Sequence, residues 1–242
     1  AKTLLHKSSY AAQEESKIIL AIKELSRTRA YLVGQLSEQK FQIHHYVNRL
    51  CPGFLNQKKS GIVPFSRTSL ALLGQRFSAG RIRSWPRASL VKFLQRQGQH
   101  EPEAAADHLR TLAGLVLDPS PDMVSCWQNS LGQYLLQYQS LAQSVSSLEK
   151  ELARSLAQTS GALLTSISGI GIVLASGMLA ELGDPTAWRA VRCLCSYSGI
   201  VPRTSQTGGP DKPAQTGKVQ RRCNRRAKNW IVQAGSLMGR CG

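Results

Sequence analysis

Two stretches of this chain share one pattern, in which apolar residues return after alternate steps of four and three. In the first, from about Gln13 to Leu50, the positions are Ile18, Ile22, Leu25, Arg29, Leu32, Leu36, Gln39, Ile43, Tyr46 and Leu50. In the second, from Asp122 to about Gln158, they are Trp127, Leu131, Tyr134, Tyr138, Leu141, Val145, Leu148, Leu152 and Ser155. A repeat of about 3.5 residues keeps one narrow helical stripe turned toward a partner, so both stretches are expected as long heptad helices of the coiled-coil kind. Arg29 and Gln39 interrupt the first stripe, and polar residues at such positions fix register or partner. Cys51-Pro52-Gly53 ends the first helix, and Asp122 is placed to cap the second. An antiparallel pair with residues 54–121 inserted at its tip fits this order. Dimerisation through the same stripes is the competing arrangement, and heptads alone leave both open.

Between the stripes, short apolar runs such as Leu70–Leu73 and Leu90–Leu94 alternate with Gly, Pro, Ser and Arg, which predicts two to four short helices. After Ser160-Gly161 the pattern changes again. Ser168-Gly169-Ile170-Gly171 predicts a tight turn, because Gly169 and Gly171 can take backbone angles closed to other residues. Ile172, Leu174, Ala175, Met178, Leu179 and Leu182 then recur at helical spacing, and Gly183 with Pro185 supplies a stop. A helix that starts at a glycine turn presents free amide groups, which suit phosphate. The segment therefore reads as a helix-hairpin-helix, or else as a plain glycine turn between packed helices. Trp188–Tyr197 has a helical pattern, 204–215 reads as a loop, and Arg221–Gly235 reads as a basic amphipathic helix with Ala227, Trp230, Ile231 and Ala234 inward.

Charge bears on that choice. The 242 residues carry a formal net charge of +17. From Val201 to Gly242 the basic residues are Arg203, Lys212, Lys218, Arg221, Arg222, Arg225, Arg226, Lys228 and Arg240, against the single acid Asp211. Such one-sided charge beside a phosphate-binding turn favours nucleic acid over a merely solvated face. The DNA-binding candidates are Gly169, Gly171, Arg203, Lys218, Arg221, Arg222, Arg225 and Arg226. No stretch is long and apolar enough for a membrane-spanning helix, and no signal peptide is read. The six cysteines are scattered, and Cys193, Cys195 and Cys223 have the wrong spacing for a paired zinc motif, so no metal site is assigned.

The order GIG…LAELGD (169–184), YSGIVPR (197–203), QTGG (206–209) and GKVQRRCNR (217–225), followed by an apolar helix, resembles the C-terminal domain of the insertion-sequence transposases of the group numbered one hundred and ten, with its one-sixteen and nine-oh-two relatives. The resemblance covers about residues 160–236, and IKELSRTRAYLVGQLSEQKFQIHHYV (22–47) is similar to a helix of the same family. It implies DNA transposition. A RuvC-like acidic domain holds magnesium, a C-terminal serine attacks DNA phosphate to form a covalent intermediate, a structured guide RNA selects DNA, and the coiled coil assembles a homo-oligomer. It also implies a bacterial or archaeal cytoplasmic protein associated with the nucleoid.

The chain departs from that pattern twice. Its 14 Asp and Glu residues form no plausible acidic strand set. Together with the ends, an initial Ala and a final helix cut short, this suggests a fragment lacking the acidic domain and the extreme C-terminus, inactive alone. The family serine stands before Gly-Gly, where this chain has Thr207, with Ser205 two residues earlier. Thr207 and then Ser205 are the nucleophile candidates, the alternative being ordinary loop hydroxyls. Arg203, Arg221, Arg222 and Arg225 could stabilise charge on a reacting phosphate. The expected fold is mainly α, divided into 1–53 (linker and first heptad helix), 54–121 (helical insert), 122–158 (second heptad helix) and 159–242 (truncated transposase domain). The competing function is a non-catalytic nucleic-acid binder on a coiled-coil stalk.

Overall fold

The computed structural model describes residues 17–184, 188, 190–205, 215–219 and 223–241. The chain is mainly helical. Helix α1 (Lys17–Leu50) stops before Pro52, and Gly53 takes φ +87° in the turn that follows. Next come α2 (Gln57–Ser60), α3 (Arg67–Leu73), α4 (Ala79–Ser84), α5 (Arg87–Arg96) and α6 (Pro102–Gly114). These are five helices where two to four were expected. The difference comes from α2, one turn capped by the Asn56 side chain, and from α4, capped by Ser78, both shorter than a periodicity reading resolves.

Helix α7 (Pro121–Leu156) starts one residue earlier than expected. The Ser120 carbonyl accepts the Val124 amide, and Pro121 fills the first helical position, where a missing N–H costs nothing. Asp122 therefore lies in the first turn rather than at the cap. A 3₁₀ helix (Ser160–Ser166), α8 (Ile172–Leu182) and α9 (Val191–Ser198) follow. Strands β1 (Pro202–Ser205) and β2 (Gln215–Val219) then form an antiparallel pair, and α10 (Arg225–Cys241) closes the series.

The compact units cut across the divisions expected from sequence. One unit is continuous, Leu32–Ser144; the other joins Ala1–Tyr31 to Val145–Gly242. Each takes a stretch of both long helices. In the continuous unit, Ile43, Val47 and Leu50 of α1 share a core with Leu131, Leu135 and Tyr138 of α7, beneath Leu72, Ile82, Leu90, Leu94 and Leu109 of the short helices. The Tyr46 and Tyr134 rings stack at 5.6 Å there. In the discontinuous unit, Ile19 and Ile22 of α1 meet Leu152 and Leu156 of α7, and Leu174, Ala175 and Leu179 of α8 with Ala234 of α10 complete the core. Arg29, which breaks the first stripe, pairs with Glu149 at 2.7 Å. Gln39, the other interruption, has a buried Oε1 with no hydrogen-bond partner. No helix among the described residues is long and apolar enough to cross a membrane.

Candidate nucleic-acid interface

The candidate residues fall in the discontinuous unit, at two ends of α10. At one end is the glycine turn. Gly169 takes φ +87°, as expected, whereas Gly171 has φ −87° and ψ 177°, an extended conformation open to any residue. Gly169 is also demanded by packing. A Cβ there would lie 3.2 Å from the Leu237 carbonyl carbon and 3.3 Å from the Met238 nitrogen, so the turn seats directly on the α10 backbone. Gly171 offers no side chain to cap the first-turn amides of α8. The turn borders a groove of about 400 Å³ lined by Ile172, Val173, Trp230, Gln233, Leu237 and Glu149. No Lys or Arg lines this groove, and its one charged residue, Glu149, is an acid paired with Arg29, a poor setting for phosphate.

At the other end is the basic start of α10. The spacing from Leu237 back to Arg225 is twelve residues, about 18 Å along a helix axis. The glycine turn and the arginines, close in the reading of the sequence, are therefore separated by most of α10. Arg225 and Arg226 are exposed in its first turn. Asn224 caps that turn, its Oδ1 accepting from the Arg226 and Ala227 amides at 3.1 Å each. Since these amides are satisfied within the protein, a ligand at this end would meet guanidinium groups rather than backbone.

Asn224 belongs to a network that sequence reasoning missed. Its Nδ2 donates to Glu181 Oε2 at 3.1 Å and lies 2.9 Å from the Tyr197 hydroxyl, while its amide donates to the Tyr197 carbonyl at 3.0 Å. Glu181, on α8, has a side chain only 4% exposed. Arg27 of α1 reaches it with Nε and Nη2, at 3.1 and 3.3 Å, and Arg226 Nη1 stands 4.0 Å away. Burial pushes the Glu181 carboxyl up. The hydrogen bonds from Arg27 and Asn224, with the charges of Arg27 and Arg226, outweigh it and hold the carboxyl below its ordinary range. One buried carboxylate thus ties α1, α8 and the start of α10. The only sequence signal was an acid inside the apolar pattern of 172–182, which pointed inward at a position reserved for core.

The strand pair springs from the same corner. Its root is Pro202 opposite Val219, and Thr204 faces Thr216 and Ser205 faces Gln215 farther out. The register shifts between Pro202 and Thr204, which sets Arg203 against Gly217 and Lys218 as a bulge. Two candidate basic residues therefore share one kinked position in the backbone. Ser205 ends β1, about 10 Å from the root at 3.3 Å per residue. Thr207, Arg221 and Arg222 lie outside the described residues, as do Gly208 and Gly209.

Among the described residues no three His, Cys, Asp or Glu side chains gather as metal ligands, so the described residues do not fit a magnesium site. Glu181, the buried acid of this corner, is already committed to Arg27 and Asn224. Residues 161–241 match the family model described as Transposase IS116/IS110/IS902 family. No curated protein and no solved structure matches the chain.

Proposed function

We propose, from the match of residues 161–241 to the transposase IS116/IS110/IS902 family, that the basic start of α10 and the β1–β2 ribbon together hold DNA phosphate for transposition. The observation that carries this reading is the exposed pair Arg225 and Arg226 on a helix end that Asn224 ties to Glu181 and Tyr197, with the bulged ribbon starting five residues after Tyr197. Guanidinium forks pair with phosphate oxygens through two hydrogen bonds, which suits them to orient a backbone. The glycine turn is assigned to seating α10, since its groove carries Glu149. In place of the helix-hairpin-helix clasp, the ribbon and α10 supply the phosphate contacts.

Thr207 is the proposed nucleophile, with Ser205 second. The attacking hydroxyl gives up its proton as its oxygen bonds to phosphorus, the phosphate–DNA oxygen bond breaks, and the departing DNA oxygen takes up a proton to leave as a hydroxyl. Arg203 and Arg225 would stabilise the added negative charge. The family resemblance adds magnesium and a guide RNA as further participants in the reaction. Self-association would use the outer faces of α1 and α7, because their stripes are covered within each unit.

The test is a salt titration of duplex DNA binding with Arg225→Ala/Arg226→Ala. Removing two phosphate contacts should flatten the plot of log affinity against log salt by about two units, equally for all sequences. An unchanged slope would leave the basic start of α10 a solvated face. In the intact transposase, Thr207→Ala should abolish covalent DNA attachment and keep binding, which separates a recombinase from a non-catalytic binder.

A further inference from the structure

The continuous unit is basic as well, and its cations divide into two sets. One set is occupied by the protein. Arg83 donates to the Ala113 and Val116 carbonyls and pairs with Asp118, Arg87 pairs with Asp107, and Arg110 donates to the Trp85 carbonyl. Arg81, Arg49 and Lys40 lie over the rings of Trp85, Trp127 and Phe65. The second set is Lys58, Lys59, Arg67, Lys92 and Arg96, all exposed and none in an ion pair among the described residues.

These five meet at one corner. Thr68 Oγ1 donates to the Gln97 carbonyl at 3.4 Å, which brings the start of α3, with Arg67, to the end of α5, with Arg96. Lys92 stands one helical turn before Arg96 on the same face. Gln99 Nε2 donates to the Gly61 carbonyl at 3.0 Å, which brings in the end of α2, with Lys58 and Lys59. Lys59 lays its stem over Gly53, 3.3 Å from where a Cβ would stand, so its ammonium is carried at the surface. The acids nearby are those on or just before α6, which packs against α2 and α5: Asp107 is paired with Arg87, so Glu101 and Glu103 stand against the five cations and the excess is positive. A sixth such cation, Arg76, lies beyond the far end of α3.

We infer that this corner of α2, α3 and α5 is a second polyanion site, binding the sugar–phosphate backbone of a nucleic-acid duplex. Cations left unpaired and clustered repel one another, and a chain of phosphates relieves that repulsion while releasing counterions. Single strands are disfavoured because they call for aromatic platforms. Here the rings are already engaged with one another, Phe54 with Phe77, Trp85 with Phe93 and Phe65 with Tyr138. An anionic membrane is disfavoured because Val63 is the one large exposed apolar side chain at the corner, too little for a wedge. The inference stands on residues outside 161–241 and is independent of the role given to α10.

The experiment uses the full chain carrying Arg67→Gln, Lys92→Gln and Arg96→Gln, with short DNA and RNA duplexes of one sequence as probes. The salt slope should flatten by about two to three units relative to the unmodified chain. A larger loss on one duplex names DNA or RNA as the source, and either supports the site. Lys58, Lys59 and Lys92 of the unmodified chain should also be shielded from acetylation by the duplex, a readout that does not need the variant to fold. The unmodified slope in a folded variant, with no shielding of the three lysines, would overturn the inference. So would loss of binding to phosphatidylserine vesicles with the duplex slope unchanged. If Arg225→Ala/Arg226→Ala has no effect while the triple variant does, the reading of α10 fails and this one stands.

Discussion

Gly177, in the middle of α8, should be intolerant of the smallest side chain, although alanine is the better helix former. Replacing a helical glycine with alanine contributes about 1 kcal/mol of stability through propensity alone. Against this stands the indole of Trp230. A Cβ on Gly177 would lie 2.4 Å from its Cε2 and 2.7 Å from Cδ2 and Cζ2. Ordinary carbon contacts run at about 3.5–4.0 Å, so the ring must retreat by roughly 1 Å, and a rigid bicycle retreats as a whole. Overpacking of that kind costs about 1–3 kcal/mol, and the retreat also loosens the α8–α10 seam. The clash wins, and Gly177→Ala should destabilise the discontinuous unit by about 1–2 kcal/mol net of propensity. In a Trp230→Leu background the obstacle is gone, and the same substitution should become stabilising, by up to about 1 kcal/mol. Native-state hydrogen exchange of α8 and α10 peptides is the assay, since it reads this unit apart from the other. Slower exchange in the single variant, or no reversal of sign in the Trp230→Leu background, would refute the reasoning.

Glu181 predicts a pH dependence. Its folded carboxyl titrates below its unfolded value, so its contribution is present above about pH 5 and is lost as pH falls through the folded value. Protection of α8 and α10 should drop in that acid window, and Glu181→Gln should weaken protection at pH 7 and abolish the drop. Cysteine reactivity should split as well. Burial pushes the Cys51 thiol up to about 11, against the lowering pull of Arg83, whereas Cys126 is exposed. At pH 8 a disulfide reagent should titrate Cys126 in the native protein and reach Cys51 only on unfolding, as timed thiol release with and without denaturant would measure. The isolated chain should show no magnesium-dependent strand transfer, which a labelled-duplex assay checks.

The long helices were legible because their stripes recur over many turns, and the stop at Pro52 needs only local chemistry. Gly183 was legible for the same reason, and it takes φ +72° at the end of α8. Of the four residues expected inward in α10, Ala227 and Ala234 are buried, and Trp230 and Ile231 are half-buried. What the sequence hid depends on distance along the chain. Arg27 and Glu181 are 154 residues apart, and no periodicity links a carboxylate to an arginine on another helix. The separation of the glycine turn from the arginines was hidden too. The length of α10 could be computed from its sequence, but which turn of it Gly169 would touch could not.

The discontinuity of one unit has a consequence for how the chain is made. Synthesis runs from the N-terminus, and domains fold as their last residues emerge. Leu32–Ser144 holds all the partners of its own core and can close before the rest is translated. Ile19 and Ile22 leave the ribosome first yet wait for Leu152, Leu174 and finally Ala234. Until those residues emerge they are uncovered apolar side chains, available to chaperones or to the wrong neighbour. A ribosome that stalls before α10 therefore releases a protein with one finished core and one that never closes, and the second would mark it for degradation.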